Sequence, residues 1–404
     1  MVTVEELDNY KEEVVKIYQY LHKHPELGYE EKRTAGLIAD KLREYGIDVQ
    51  EGLAITGVLG ILDSGRQGKT IMLRADMDAL EIEEKTGCSF ASQIPGKMHA
   101  CGHDGHVSML LLAAKYLAVN KENFFGKIKF VFQPAEENSS AEMRTEAARR
   151  GYYGVGGAGF MIQEGVLENV DACYAIHVNP LQKIGTVFIN EGKAMASSDK
   201  FTATIIGTGG HGAAPHKGVD PVAAAAALLD AYHLLPAREI SASDTCVVSI
   251  GTIHTPFSSW NILPERIVIS GNIRTFDDGV REYVIGRMGE LLAGIATANR
   301  CKYEFERMKG YNATINNKKM AVRAAEVARK VLGAGNVVLS NVPFMSSEDL
   351  GNYFLKVPGA LIWLGVAADG EDYPGLHSPY FRLNPEALIY GVAIHINNVL
   401  HFLN

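Results

Sequence analysis

Apolar positions at Val4, Leu7, Val14, Ile17, Tyr18 and Leu21 fall on one stripe of a helix. Pro25 in HPELGYEE stops that helix, Glu30 and Glu31 open the next, and Gly46 ends it as the glycine just past a helix C-terminus. Strand-like runs follow at 55–62 and 70–75. The second is nearly all apolar, as a strand covered on both faces should be. A helix is expected over 106–118, a buried strand over 127–132, and another strand over 171–176 that ends at His177. Strands alternating with helices in this way predict a largely parallel sheet covered by helices.

From about Asp199 the pattern changes. Residues 201–206 alternate, GTGGHGAAPHKGVDP is a glycine- and proline-rich loop, and the alanine-rich run 222–235 reads as a closely packed helix. Strands over 246–254 and 266–275, a long helix over 279–300 and a strand over 302–308 complete a compact α+β unit. A helix at 318–332, a strand at 360–365 and a helix at 384–403 then return to the first pattern. The expected fold is α/β: a mostly parallel mixed sheet covered by helices (1–196 and 309–404), with an inserted α+β domain at 197–308.

The 404 residues are 47% hydrophobic and 21% charged, which is ordinary for a globular chain with a sizeable core. A formal net charge of −8 leaves no basic stripe to neutralise phosphates, so neither nucleic acid nor an anionic membrane is an expected partner. The acidic N-terminus lacks the basic and apolar regions of a signal peptide, and no stretch reaches the length of a membrane span. Five scattered cysteines read as reduced thiols. A cytoplasmic location is expected.

The chemistry concentrates in MHACGHDGH, Met98 to His106. Cys101 and His103 offer a thiolate and an imidazole, donors that zinc and its neighbours prefer, and glycines at 102 and 105 let the backbone bend. In parallel sheets ligands bind beyond the carboxyl ends of the strands. Asp76, Asp78, Glu136, Glu137 and His177 fall at such ends, and His377 follows the last strand. Cys101, His103, Glu137, His177 and His377 are too many donors for one four-coordinate zinc, and too few for two unless one bridges or water fills in. Two divalent ions (Zn, Mn, Co or Ni) bridged by Cys101 are the favoured arrangement. Glu136, beside Glu137, is then free to face the substrate. A metal lowers the pKa of bound water toward about 7. A neighbouring carboxylate can take the remaining proton and pass it to a leaving amine.

Taken in order, MHACGHDGH, FQPAEE, AIHV, GGHGAAPH and LHSP resemble the dinuclear metallo-amidohydrolases of the aminoacylase and zinc-carboxypeptidase superfamily. Within it the chain is most similar to the branch of hippurate hydrolases and indole-3-acetyl-amino-acid hydrolases. HPELGYEE, LRADMDAL, GVDP, NILPE, IRTFD and SSEDL match that branch in sequence order. The resemblance implies metal ligation by Cys101, His103, Glu137, His177 and His377, Glu136 as general base and acid, and an inserted lid domain through which such proteins form homodimers. It further implies that His211 reaches the metal site of the partner subunit, and that Asn261 and Arg274 face the carboxylate of the substrate. Asp76 stands where other branches carry a ligating histidine, so Asp76 and Asp78 are expected to support the ligands or the fold. His99 and His106 are expected beside the ligands, and His216 and His254 on the surface. NSSAEMRTEAARRGYYGVGGAG is longer than the glycine-rich link usual after the paired glutamates.

The expected reaction is metal-dependent hydrolysis of N-acyl amino acids by metal-bound hydroxide, with Glu136 as proton shuttle. A dipeptidase or an N-acetyl-diaminopimelate-type deacetylase on the same site, a thiol enzyme using Cys101 as nucleophile, and a non-catalytic binding protein are the alternatives.

Overall fold

Thr70–Asp76 is buried at every position, because strands pair with it on both sides. The protein is described from a computed structural model over residues 1–137, 141–151, 156–256, 259–368, 370 and 373–404. Its large sheet has eight strands, in the order Asp48–Leu53, Gly57–Asp63, Lys127–Gln133, Thr70–Asp76, Ala172–Lys183, Gly359–Ala367, Val187–Asn190 and Val337–Ser340. The four from Lys127–Gln133 to Gly359–Ala367 run parallel, and antiparallel pairings flank them. This is the α/β arrangement expected from the alternation of strands and helices.

His103–Val119 packs on Thr70–Asp76 and Ala172–Lys183 and also against the helices Lys11–Lys23 and Leu388–Leu403. Neighbours on several sides explain why Val107 and the run Met109–Ala114 are buried with no polar face among them. The helix starts at His103, not at 106. Its first turn holds buried polar residues, His103, Asp104 and His106, which hydrophobic periodicity does not mark as helical. The strand expected to stop at His177 continues to Lys183, because Val178 and Asn179 go on pairing with Leu364 and Gly365. Among the described residues seven strands escaped the apolar pattern: Asp48–Leu53, Val187–Asn190, Val337–Ser340 and the short Lys193–Met195, Gly210–His211, Ile262–Leu263 and Thr314–Ile315. In the long segment after Glu137, Ala141–Arg149 is helical, and residues 138–140 and 152–155 lie outside the described residues.

The chain divides into two compact units. One comprises Met1–Ala194, Ile315–Pro343 and Asp349–Asn404; the other comprises Met195–Thr314 and Phe344–Glu348. The second unit carries a four-stranded antiparallel sheet, in the order Cys246–His254, Arg266–Thr275, Asp199–Ile206, Lys302–Lys309. Helices Pro221–Glu239 and Asp278–Ala298 pack on it around Phe201, Leu228, Tyr232, Ile269, Met288 and Leu292. Asp220 and Asp277 cap these helices by accepting from the amides of Val222 and Val280. No helix among the described residues is long and apolar enough to cross a membrane.

Candidate metal centre

The parallel strands of the first unit deliver their chemistry to one edge. Thr70–Asp76 runs into Asp78, and Lys127–Gln133 into Glu136 and Glu137. Arg74 pairs with Ala175 in register, so two residues on His177 stands level with Asp76 although its strand continues. Ala135, at φ 50°, sits in the left-handed region and turns the chain just before the paired glutamates. The buried Glu31 holds that turn, accepting from the Ala135 amide at 2.9 Å and the Thr56 hydroxyl at 2.6 Å. Gly102 opens the helix at φ 86°, and a Cβ there would lie 2.4 Å from Val178 Cγ2, so no other residue fits. Gly105 is different: it lies inside the helix, and a Cβ would meet Leu383 at 2.9 Å. Its smallness serves packing, not the bend expected of it.

The five expected ligands meet. Cys101, His103 and His177 bring one donor atom each within 4.8 Å of one another, and so do Cys101, Glu137 and His377. Cys101 belongs to both trios. Its Sγ lies 3.5 Å from His177 Nε2, and His377 Nε2 lies 2.7 Å from Glu137 Oε1. His103, Glu136 and Glu137 form a third such trio.

The imidazoles are oriented for metal. His103 Nδ1 donates to the Asp78 carbonyl at 2.9 Å, and His177 Nδ1 to the Val178 carbonyl at 2.8 Å. That fixes the Nε2 atoms as the free ligand atoms. His103 Nε2 is buried with no hydrogen-bond partner among the described residues, an orphan that a cation would satisfy. The electrostatics agree. Burial pushes the Cys101 thiol well up, and Glu137, Glu136 and Asp76 push it further. Burial opposes charge on His103, yet Asp76 and Asp78 raise its pKa to about 10. Carboxylates and a thiol crowd a site that calls for positive charge, which two divalent ions would supply. The donor set therefore fits such ions.

Behind the ligands lies a buried ionic network. Arg74 donates to Asp76, to Gln133 Oε1 at 2.9 Å and to Asp349 Oδ1 at 2.9 Å. Gln133 Nε2 reaches both Asp349 oxygens at 2.8 Å, and the Asp349 amide points at Glu136 Oε1 at 3.4 Å. Asp76 accepts from His106 Nδ1 and stands 3.7 Å from His103 Nε2. Asp78 takes His103 through its carbonyl and the Glu137 amide through Oδ2, at 2.9 Å in each case. Both aspartates thus brace side chains of the donor cluster or their neighbours. His106 lies beside them, accepting from the Val178 amide at 3.0 Å. His99 bonds to no ligand: neither ring nitrogen has a hydrogen-bond partner among the described residues, and burial pushes its pKa down to about 4. Glu31, Arg74, Gln133 and Asp349 were not singled out from the sequence as site residues, although HPELGYEE, LRADMDAL, FQPAEE and SSEDL contain them.

His211, Asn261 and Arg274 belong to the second unit. His211 pairs with Ile262 in a two-stranded ribbon, and the Asn261 carbonyl accepts from the Gly212 amide at 2.8 Å, so the first two are neighbours. Both side chains are exposed, whereas Arg274 is half-buried and donates to Ser347 Oγ at 2.9 Å. His216 and His254 are exposed.

The model of peptidase family M20/M25/M40 matches residues 72–401. The chain belongs to this family. Hippurate hydrolase of Campylobacter jejuni is 35% identical over the full length of both chains. Thermostable carboxypeptidase 1 of Saccharolobus solfataricus is 34% identical, again over 100% of each. Among solved structures, the YXEP protein of Bacillus subtilis, described as a dinuclear metal binding peptidase of the M20 family, superposes with a TM-score of 0.80. It is 29% identical, covering 98% of this chain and 99% of that one. As an M20-family member the chain is an enzyme, a hydrolase of the amidohydrolase and peptidase kind.

Proposed function

We propose that this M20-family enzyme hydrolyses the amide bond of N-acyl amino acids, with two divalent ions held by Cys101, His103, Glu137, His177 and His377. The observation that carries this reading is the convergence of those donors beside Glu136 at the carboxyl ends of parallel strands. Hippurate, in the name of one relative, is itself an acylated amino acid. Bound zinc, manganese, cobalt or nickel would polarise the substrate carbonyl and bring the pKa of water toward about 7. Glu136, 4% exposed and met by the Asp349 amide, is the proton carrier. It takes a proton from the attacking water and returns it to the departing amine. In this reading Cys101 serves as a ligand and not as a nucleophile: it belongs to both donor trios, and the charge of two bound ions would favour its thiolate.

To the second unit we assign the roles of lid and dimerisation domain. Arg274 and Asn261 hold the carboxylate of the substrate, for which a guanidinium offers paired hydrogen bonds. His211 donates to the developing oxyanion in the partner's site, so the working form is a homodimer. The carboxypeptidase name of a relative favours a second reading, a peptidase on the same site.

The test is a panel of N-acetyl, N-benzoyl and indole-acetyl amino acids beside dipeptides with free amino termini, assayed with metal-reconstituted protein. Cleavage of acylated substrates, lost to EDTA and restored by metal, is expected. Preference for free amino termini would favour the peptidase. Activity that resists EDTA but falls to iodoacetamide would make Cys101 the nucleophile.

A further inference from the structure

We propose that His22, Glu84 and Cys88 form a separate binding site for a third divalent cation of the zinc class. These side chains lie in the first unit, and each brings one donor atom within 4.8 Å of the others. His22 and Glu84 are buried, with side chains 2% and 5% exposed. His22 Nε2 lies 3.3 Å from Glu84 Oε1, and Cys88 Sγ lies 3.8 Å from the same oxygen. Zinc–ligand bonds of about 2.0–2.3 Å at tetrahedral angles imply edges of about 3.4 Å for N···O and about 3.6 Å for S···O. The three donors already stand near those separations.

The surroundings are those of a built site. His22 Nδ1 donates to Asp104 Oδ2 at 2.6 Å, the arrangement in which a carboxylate behind a ligating histidine fixes its tautomer and strengthens it as a donor. Glu84 Oε2 is pinned by the Ser92 amide at 2.6 Å, leaving Oε1 to face the cluster. That oxygen is approached by His22, Cys88 and the Thr86 hydroxyl together, more donors than its two lone pairs accept in good geometry. An ion in their midst resolves the crowding. It displaces one proton from His22 and one from Cys88, so two positive charges replace two protons and the net charge is unchanged. The thiolate and imidazole suit zinc over magnesium or calcium. A cavity of about 310 Å³, lined by His22, Thr86 and Cys88 with Tyr18, Phe90 and Arg382, offers an entry path and a fourth position for water or a small anion. Asp104 follows His103 in the chain, so an ion here braces the helix turn that carries a ligand of the main centre.

The experiment titrates metal-stripped protein with Co²⁺, following near-ultraviolet thiolate-to-metal absorption and counting bound metal by elemental analysis. Wild type should bind one equivalent more than Cys88→Ser and Cys88→Ala, with metal-free melting temperatures unchanged by either substitution. Cys101→Ser, which keeps Cys88, should retain a thiolate-to-cobalt band, and Cys101→Ser/Cys88→Ser should have none. These are comparisons between variants, so they stand whatever the main centre holds. Equal stoichiometry in wild type and both Cys88 variants, or no thiolate band in Cys101→Ser, would overturn the site. His22 would then be an imidazolium shared by two carboxylates.

Discussion

The two units hold their candidate groups in opposite ways. In the first, Cys101, His103, Glu136 and His177 are buried, and Glu137 is tied to His377 through its carboxylate and to the Asp78 carboxylate through its backbone amide. Their orientations are set by other buried groups before anything binds. In the second, His211 and Asn261 are exposed at a short ribbon and are held by local contacts, His211 Nδ1 accepting from the Ala213 amide at 3.1 Å and Asn261 Oδ1 from the Ser259 hydroxyl at 2.6 Å. A crowded, charge-frustrated pocket is built to hold ions with little rearrangement. Exposed side chains on a ribbon become useful only when a substrate or a second subunit meets them.

The strongest way to break this contrast is at Glu136. Glu136→Gln should keep fold and metal but lower kcat by about 10²–10⁴, the worth of a positioned acid–base group, with KM little changed. Glu137→Gln should instead lose metal, as should Cys101→Ser, since a hydroxyl replaces a thiolate poorly. Metal content measured beside kcat separates these roles. Survival of kcat within a few-fold in Glu136→Gln would move the proton to another residue, and undiminished metal in Cys101→Ser would remove it from the ligand set.

Next in size is His211. His211→Ala should cost about 10²–10³ in kcat, as loss of one oxyanion donor does, and leave metal content unchanged. Mixing Glu136→Gln with His211→Ala and allowing subunit exchange tests delivery from the partner. A mixed dimer has one site with intact Glu136 that receives its histidine from the Glu136→Gln chain, so activity should return. No recovery, with exchange verified by mass, would place His211 in its own chain's site or outside catalysis.

How far the sequence carried differs between the units for the same reason. The four-stranded unit was legible almost strand for strand, because its sheet is covered by helices on one side and its apolar positions recur with the period of the element. Cys246–His254 and Arg266–Thr275 fall where strands were expected, the second from its alternation of apolar and polar residues. Strands such as Val187–Asn190 were missed because four residues are too short a window for any period to show. The clustering of the five candidate donors was legible because strand ends in a parallel sheet converge, and motif resemblance narrowed the choice. Arg74, Gln133 and Asp349 were not, because a buried ionic network has no local spacing. Arg74 and Asp349 are 275 positions apart.

A smaller effect, on stability, sharpens the comparison, because each unit contains one buried arginine network. Arg74→Met should destabilise the protein by about 3–5 kcal/mol by leaving Asp76 and Asp349 without their cation. It should also lower kcat per folded molecule, because Asp349 positions Glu136. Arg281→Met, beside the buried Asp199, should cost a similar amount without changing metal content. Denaturant midpoints with metal counts on the same samples decide it. Equal loss of metal in both variants would mean the networks are not local to their units.

The smallest effect is the acid limb of stability in the second unit. Asp199 accepts from Arg281, from Arg307 Nε at 2.9 Å and from the Gly310 amide at 2.9 Å. Burial alone would raise its pKa, but these hydrogen bonds and the two guanidinium charges lower it below the ordinary carboxylate value. A carboxylate with a depressed folded pKa binds fewer protons folded than unfolded, so it contributes its full stabilisation above the unfolded pKa near 3.9. That contribution is lost as the pH falls through and below that value, while both arginines stay charged. Asp199→Asn removes the charge at every pH. Wild type should therefore melt higher than Asp199→Asn by a constant margin above about pH 5, and the two curves should converge as the pH falls below the unfolded pKa toward the lower folded one. Both proteins are measured with chelator present, so acid release of metal from the first unit does not enter the difference. A margin that persists unchanged to pH 2 would mean that shape and hydrogen bonding at Asp199, and not its charge, hold the two arginines.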